Sequence, residues 1–307
     1  MTKKIPVGTT IARGYGFAFG NIINNLGAIW IPALILIACS YLFLRPYTMR
    51  LVPGDPNALR QVAPVFLVGF PLAFVLVSAQ MASLTKEALG LRTGNPFLQF
   101  PFGAPTWRLL AAYLLFVLAM IVIYIVGVIV ALIGGLVLGI MTNAFPADTG
   151  KLIVGMIAVF SAFVFLCAIT YIATRLSFLL APVCVAEQRI TLIRGWELAR
   201  GNFWRIFLVL LSVLIPLLIV ECVYIYALYG DNFLPPIGSM TDADAVAQFQ
   251  AHQQQAMLAA NERLQHYWYI TYPGSLLFAV IMYGLFAGLS AFAYKALVED
   301  TPAEGIA

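Results

Sequence analysis

The chain has 307 residues, of which 62% are hydrophobic and 10% charged, with a formal net charge of +4. Soluble domains carry about 25% charged residues, so this composition excludes a water-soluble globule and calls for an exterior that faces lipid. Residues 14–44, 61–85, 109–147 and 264–294 contain no Asp, Glu, Lys or Arg, while 152–186 contains only Arg175 and 206–230 only Glu221.

Each run exceeds the ~20 helical residues that cross a bilayer core. Backbone groups in lipid must be satisfied internally, by helices or a closed barrel, and continuous apolar runs lack the alternation of barrel strands. The expected fold is an all-α integral membrane protein, one polytopic domain over residues 1–307. It has six transmembrane helices, interfacial amphipathic helices on the cytoplasmic face and one external amphipathic helix. Placing the N-terminus in the cytoplasm puts 12 of the 17 Lys and Arg residues on that face, so the positive-inside rule predicts both termini inside. The first span has no visible cleavage site and is expected to remain as an anchor.

In chain order, the predicted spans are 27–45, 63–84, 109–140, 152–180, 206–229 and 273–296. Arg45 ends the first span. The third carries small residues at every fourth position, Gly127, Ala131, Gly135 and Gly139, with Gly134-Gly135 as the expected break. The sixth carries Gly284 and Gly288, followed by Ala291. Such faces let helix backbones approach closely, inside the bundle or between copies of the chain. The external segment 230–272 predicts a helix starting near Thr241 or Asp242, with Val246, Phe249, Met257, Ala260, Leu264 and Tyr267 on one face. It reads as a cap on the outer mouth or as a partner-binding helix.

Three segments before spans one, three and five resemble one another. Arg13-Gly14-Tyr15, Ala18 and Gly20-Asn21 align with Arg194-Gly195-Trp196, Ala199 and Gly201-Asn202, and a weaker copy holds Arg92 and Gly94-Asn95. This pattern predicts three parallel units, each an interfacial segment followed by two spans. The last copy lies within Pro182–Arg205, whose Arg189, Arg194, Trp196, Arg200, Trp204 and Arg205 suit a short interfacial helix reaching lipid headgroups. Arg175 just before it would snorkel, neutralise a lipid phosphate, or pair with Glu187 or Glu197.

These residues resemble a bacterial group: the membrane domain fused to some glycerophosphoryl diester phosphodiesterases, and related stand-alone six-span proteins. The resemblance covers about 165–215. It implies a membrane module in the bacterial cytoplasmic (inner) membrane that anchors or assists partners. The phosphodiesterase activity does not carry over, because no segment is long enough for the hydrolase barrel.

Glu221 is the single acidic residue inside a span. It is a candidate proton- or cation-responsive site with Arg45 as partner, or a structural ion pair, or a protonated acid bonded to Tyr224 or Tyr226. No catalytic, cofactor-binding or metal-ligating constellation is legible. His252 and His266 have no ligand at useful spacing, and Cys39, Cys167, Cys184 and Cys222 read as small apolar fillers. The expectation is therefore a non-catalytic protein, with no cofactor, that organises a partner or anionic lipids at the membrane. A small transporter or lipid-translocating protein titrating at Glu221 is the alternative. Expected partners are membrane lipids and a membrane protein or second copy, not nucleic acid.

Overall fold

The structure, a computed structural model, describes residues 3–39, 58–92, 94–95, 97, 102–142, 147–229 and 243–298. The helices among these residues are α1 (Val7–Gly20), α2 (Ile22–Cys39), α3 (Ala58–Leu89), α4 (Ala104–Thr142), α5 (Ala147–Ser177), α6 (Leu180–Ala186), α7 (Leu192–Leu198), α8 (Phe203–Tyr229), α9 (Ala243–His266) and α10 (Trp268–Val298). No strand occurs among the described residues. Six stretches are long and apolar enough to cross a membrane: Ile22–Cys39, Leu67–Leu89, Ala104–Ile140, Val154–Ala186, Phe203–Ala227 and Trp268–Val298. These are the six spans read from hydropathy, with ends shifted by a few residues.

Three local expectations change. α4 runs unbroken through Gly134-Gly135 for 39 residues, roughly 58 Å at 1.5 Å per residue, so it tilts or protrudes rather than breaking. The last span begins earlier than predicted, at Trp268, and takes Pro273 into its helix. Of the face predicted along α9, Ala260 is buried, as is Ala256, whereas Met257 and, just beyond the helix, Tyr267 are exposed; the side chains of Val246 and Phe249 lie outside the described residues. The proposed cap residues Thr241 and Asp242 lie outside the described residues.

The buried core occupies one end of the bundle, here called the basic end. It gathers Ile5, Phe17 and Ala18 from the N-terminal region, Leu84 and Ala88 of α3, and Leu109 and Ala112 of α4. It also holds Leu179–Val185 around α6, Ile206 and Val209 of α8, and Leu285–Leu297 of α10. The other halves of α4, α5 and α8 present exposed apolar side chains, among them Ile129, Leu136, Phe160, Val164 and Leu218. Lipid covers such surface at no hydrophobic cost, so the outer half is loosely packed while the basic end is dense.

Turn chemistry shapes that end. α3 stops in a Schellman motif, in which Leu91 N–H donates to Lys86 O (2.9 Å) and Gly90 N–H to Glu87 O (3.0 Å). Gly90 takes φ +70°, the left-handed conformation this cap favours glycine for. Gly201 does the same at φ +77° where the chain turns from α7 into α8.

The repeated Arg-Gly-aromatic step has a shared structural use. Its glycine is where a short helix approaches a span of a different unit. A side chain at Gly14 would collide with Leu289 of α10, and one at Gly195 would reach Leu176 O of α5 at 3.7 Å. The middle copy differs: its described residues form no helix, and Phe97 packs over Gly27 instead.

The small-residue faces divide. Added methyls at Gly284 and Gly288 would sit 3.2 Å from Asn25 Nδ2 of α2 and 2.9 Å from the Phe17 ring of α1, so this face of α10 is covered by α1 and the start of α2; Ala291 is buried too. Gly127 packs on Phe165 of α5. Ala131, Gly135 and Gly139 are exposed, and a side chain at Gly135 or Gly139 would meet nothing within 4 Å. The expected four-residue stripe on α4 is therefore covered only at its start, because α5 does not follow it outward. Overpacking costs about 1–3 kcal/mol in a filled site. Gly288→Leu is thus expected to lower the unfolding temperature of the detergent-solubilised protein by several degrees, and Gly135→Leu to leave it unchanged, in a fluorescence-detected thermal ramp. Equal effects would contradict the assignment of the two faces.

Candidate functional site: the basic end

The five arginines and two tryptophans of the segment 175–205 do not share one role. Arg175 is 7% exposed and lies under α7. Its guanidinium sits 3.8 Å from the centroid of the Trp196 ring. It donates through Nη1 to Tyr171 Oη (2.8 Å) and through Nη2 to Trp196 O (3.0 Å). Tyr171 in turn packs on Phe203, with ring centroids 4.6 Å apart. Neither snorkelling nor a carboxylate pair describes this arrangement. Arg175 is an internal clamp that ties α5 to α7 and α8, and Trp196 is its platform rather than a headgroup anchor. A desolvated cation–π contact contributes ~2 kcal/mol, and hydrogen bonds to charged groups ~1.5–3 kcal/mol each, which offsets the burial of the charge.

The carboxylates expected for Arg175 are taken by Arg194. Its Nε lies 3.2 Å from Glu187 Oε1 and its Nη1 lies 3.8 Å from Glu197 Oε2. Tyr294 of α10 donates to the same Glu187 oxygen at 3.2 Å. This links the turn after α6 to the last span. Thr191 begins α7 by accepting the Arg194 N–H at 3.4 Å, a longer version of the usual Ser/Thr cap.

Arg205 and Asn202 hold the N-terminal segment. Asn202 is buried; its Nδ2 donates to Lys3 O (2.8 Å) and its Oδ1 accepts Ile5 N–H (3.1 Å). The side-chain amide thereby pairs with the extended backbone as a neighbouring strand would. Arg205 Nη1 donates to Ile5 O at 2.7 Å, and Ile5 is fully buried in the core. Tyr15 of α1 adds a hydrogen bond to Ser212 O of α8 at 2.6 Å. In the sequence reading Asn202 figures only as the repeat counterpart of Asn21, which misses this strap. The available signal was a polar amide flanked by aromatic and apolar residues that would leave it no water.

Arg189, Arg200 and Trp204 remain as the surface residues of the motif. Arg189 and Arg200 are exposed, Trp204 is 71% exposed, and exposed Ile190 and Ile193 lie beside them in sequence, with Trp107 exposed at the start of α4. Basic heads interleaved with apolar and indole groups form the chemistry of a bilayer interface. In the middle copy of the repeat, Arg92 pairs with Glu87 at 3.6 Å; burial lowers its guanidinium below the ordinary value, and the carboxylate opposes that.

Glu221 is not enclosed by the bundle. It is exposed on the loosely packed half of α8 and makes no hydrogen bond or ion pair among the described residues. Arg45 lies outside the described residues, so the pair proposed from depth has no geometry.

Cys184 reports on the clamp, since it is buried against the backbone at Thr191, just before α7. With Cys39, Cys167 and Cys222 changed to serine, Arg175→Ala is expected to raise maleimide labelling of Cys184 about tenfold or more, because loss of the clamp's charged hydrogen bonds eases local opening. Unchanged labelling would show that α7 is held by other contacts.

No family model matches the chain, and no curated protein or solved structure is similar to it.

Proposed function

We propose that this chain is a non-catalytic multi-pass protein of the bacterial cytoplasmic membrane that organises anionic lipids, or a partner bound through them, at its cytoplasmic face. The observation that carries this reading is the exposed belt of Arg189, Ile190, Ile193, Arg200 and Trp204, set on a foundation of buried arginine clamps. Two exposed cations interleaved with three exposed apolar groups along one short segment suit phosphates and acyl chains. The likeness of 165–215 to the membrane domain of some glycerophosphoryl diester phosphodiesterases supports the same role without hydrolysis. The basic excess at this end supports a cytoplasmic orientation.

The belt makes a measurable claim. After extraction in native-lipid discs, mass spectrometry is expected to find anionic lipids enriched around the protein relative to the bulk membrane. Replacing Arg189 and Arg200 by Gln and Ile193 and Trp204 by Ser should reduce that enrichment severalfold, since each basic residue near the surface contributes ~1 kcal/mol. Composition equal to bulk in the wild type would overturn the reading.

A translocating role rests on Glu221, an exposed carboxylate on the loosely packed half of α8. It predicts flux of a lipid or ion that Glu221→Gln lowers at least tenfold in reconstituted vesicles. Equal flux in both proteins would remove that role.

A further inference from the structure

A cleft at the basic end has no role in the belt or the clamps. It lies between the first turn of α1 and the last turns of α10, has a volume of about 200 Å³, and is lined by Pro6, Thr9, Thr10, Arg13, Phe292 and Lys295. Pro6 caps α1 without a side-chain hydrogen bond, and no acidic residue occupies the first turn. Thr10 N–H donates back to Pro6 O at 2.9 Å. The preceding N–H groups of Val7, Gly8 and Thr9 are therefore the open donors of a helix start, where the dipole also favours an anion. Around Gly8 the space is open, with nothing within 4 Å of an added side chain.

Two independent features point to a ligand. Thr10 is 2% exposed and lines the cleft, yet its hydroxyl makes no hydrogen bond among the described residues. That hydroxyl is not sealed from solvent, so it is open to a ligand oxygen entering the cleft. The second feature is charge. Arg92 and Arg194, at the same step of the repeat, have Glu87 and Glu187 as partners, whereas Arg13 has no carboxylate among the described residues. Lys295 likewise makes no ion pair among them and rests 5.9 Å from the centroid of the Phe292 ring.

We propose that this cleft binds a phosphate group, held by Arg13, Lys295, the Thr9 and Thr10 hydroxyls and the amino end of α1. A phosphate offers several acceptor oxygens and its charge matches a small basic cleft. The group belongs to an anionic lipid head or to a soluble phosphate ester. The proposal extends the belt reading, and rests on it for the lipid source alone.

The test uses the full chain in phosphatidylcholine nanodiscs. Phosphatidic acid is added to the discs in one arm, and glycerol 3-phosphate or inorganic phosphate to the buffer in the other. Native mass spectrometry counts the bound molecules, and thermal unfolding follows occupancy. One saturable molecule per chain is expected. Arg13→Gln with Lys295→Gln should weaken it about tenfold or more, and Thr10→Val should weaken it with the charge unchanged. Arg189→Gln with Arg200→Gln removes equal charge away from the cleft and should leave it intact. Retention of phosphatidic acid alone assigns the site to lipid, and saturation by glycerol 3-phosphate assigns it to a soluble ester; either supports the site. Absence of saturable binding of every probe, or equal loss in the belt variant, overturns it. If the belt variant abolishes lipid enrichment in native discs while the cleft variants bind phosphate as the wild type does, the cleft proposal fails and the belt reading stands.

Discussion

Gly14 of α1 and Gly284 and Gly288 of α10 let two helices approach closely: an added methyl at Gly14 or Gly288 would press on the opposing helix, and one at Gly284 would crowd Asn25 of α2. Apolar helices gain little from contact with each other rather than with lipid, so association within a membrane depends on fit and on hydrogen bonds. Here fit comes from missing side chains. Once α1 is seated, Ile5 enters the core, Asn202 and Arg205 take up the backbone before α1, and Tyr15 reaches Ser212. The first helix and the last span are thereby joined to α8, and the basic end closes into a ring.

That ring explains why charge can be buried at this end. Arg175 loses its water but gains an indole face, a phenol and a carbonyl, all supplied by α5 and α7. Gly195 is buried beside it, where α7 meets the end of α5. A cation enclosed in this way is a positioning device. It leaves Arg189 and Arg200, and not Arg175, for contact with the surroundings. The outer halves of α4, α5 and α8 have no comparable device, and their apolar side chains remain exposed to whatever covers them.

The internal likeness of the segments before spans one, three and five has the same physical logic and a different outcome at each copy. In two copies the glycine lies where a short helix meets another unit, while the arginine beside it pairs with Glu187 in one and has no carboxylate partner among the described residues in the other. Asn202 clasps the N-terminal strap, but its counterpart Asn21 is exposed, and the buried amide near α1 is Asn25, which donates to Phe17 O at 3.3 Å. A repeated local motif thus sets where close approach occurs, and its neighbours set what the polar groups do.

Residue order alone determined the number of apolar spans, the helical class and the concentration of basic groups at one end. Hydropathy is a sum over neighbours in the chain, and lipid imposes the same backbone requirement on every apolar run. Only the tertiary structure decided that Arg175 and Arg205 are clamps, that Arg194 takes Glu187, that the glycines of α10 are covered while Gly135 is not, and that Glu221 stands outside the packed core. An arginine beside a tryptophan has the same composition whether it faces a phosphate or an indole ring. Which one it meets depends on helices that lie distant in sequence and are brought beside it by packing.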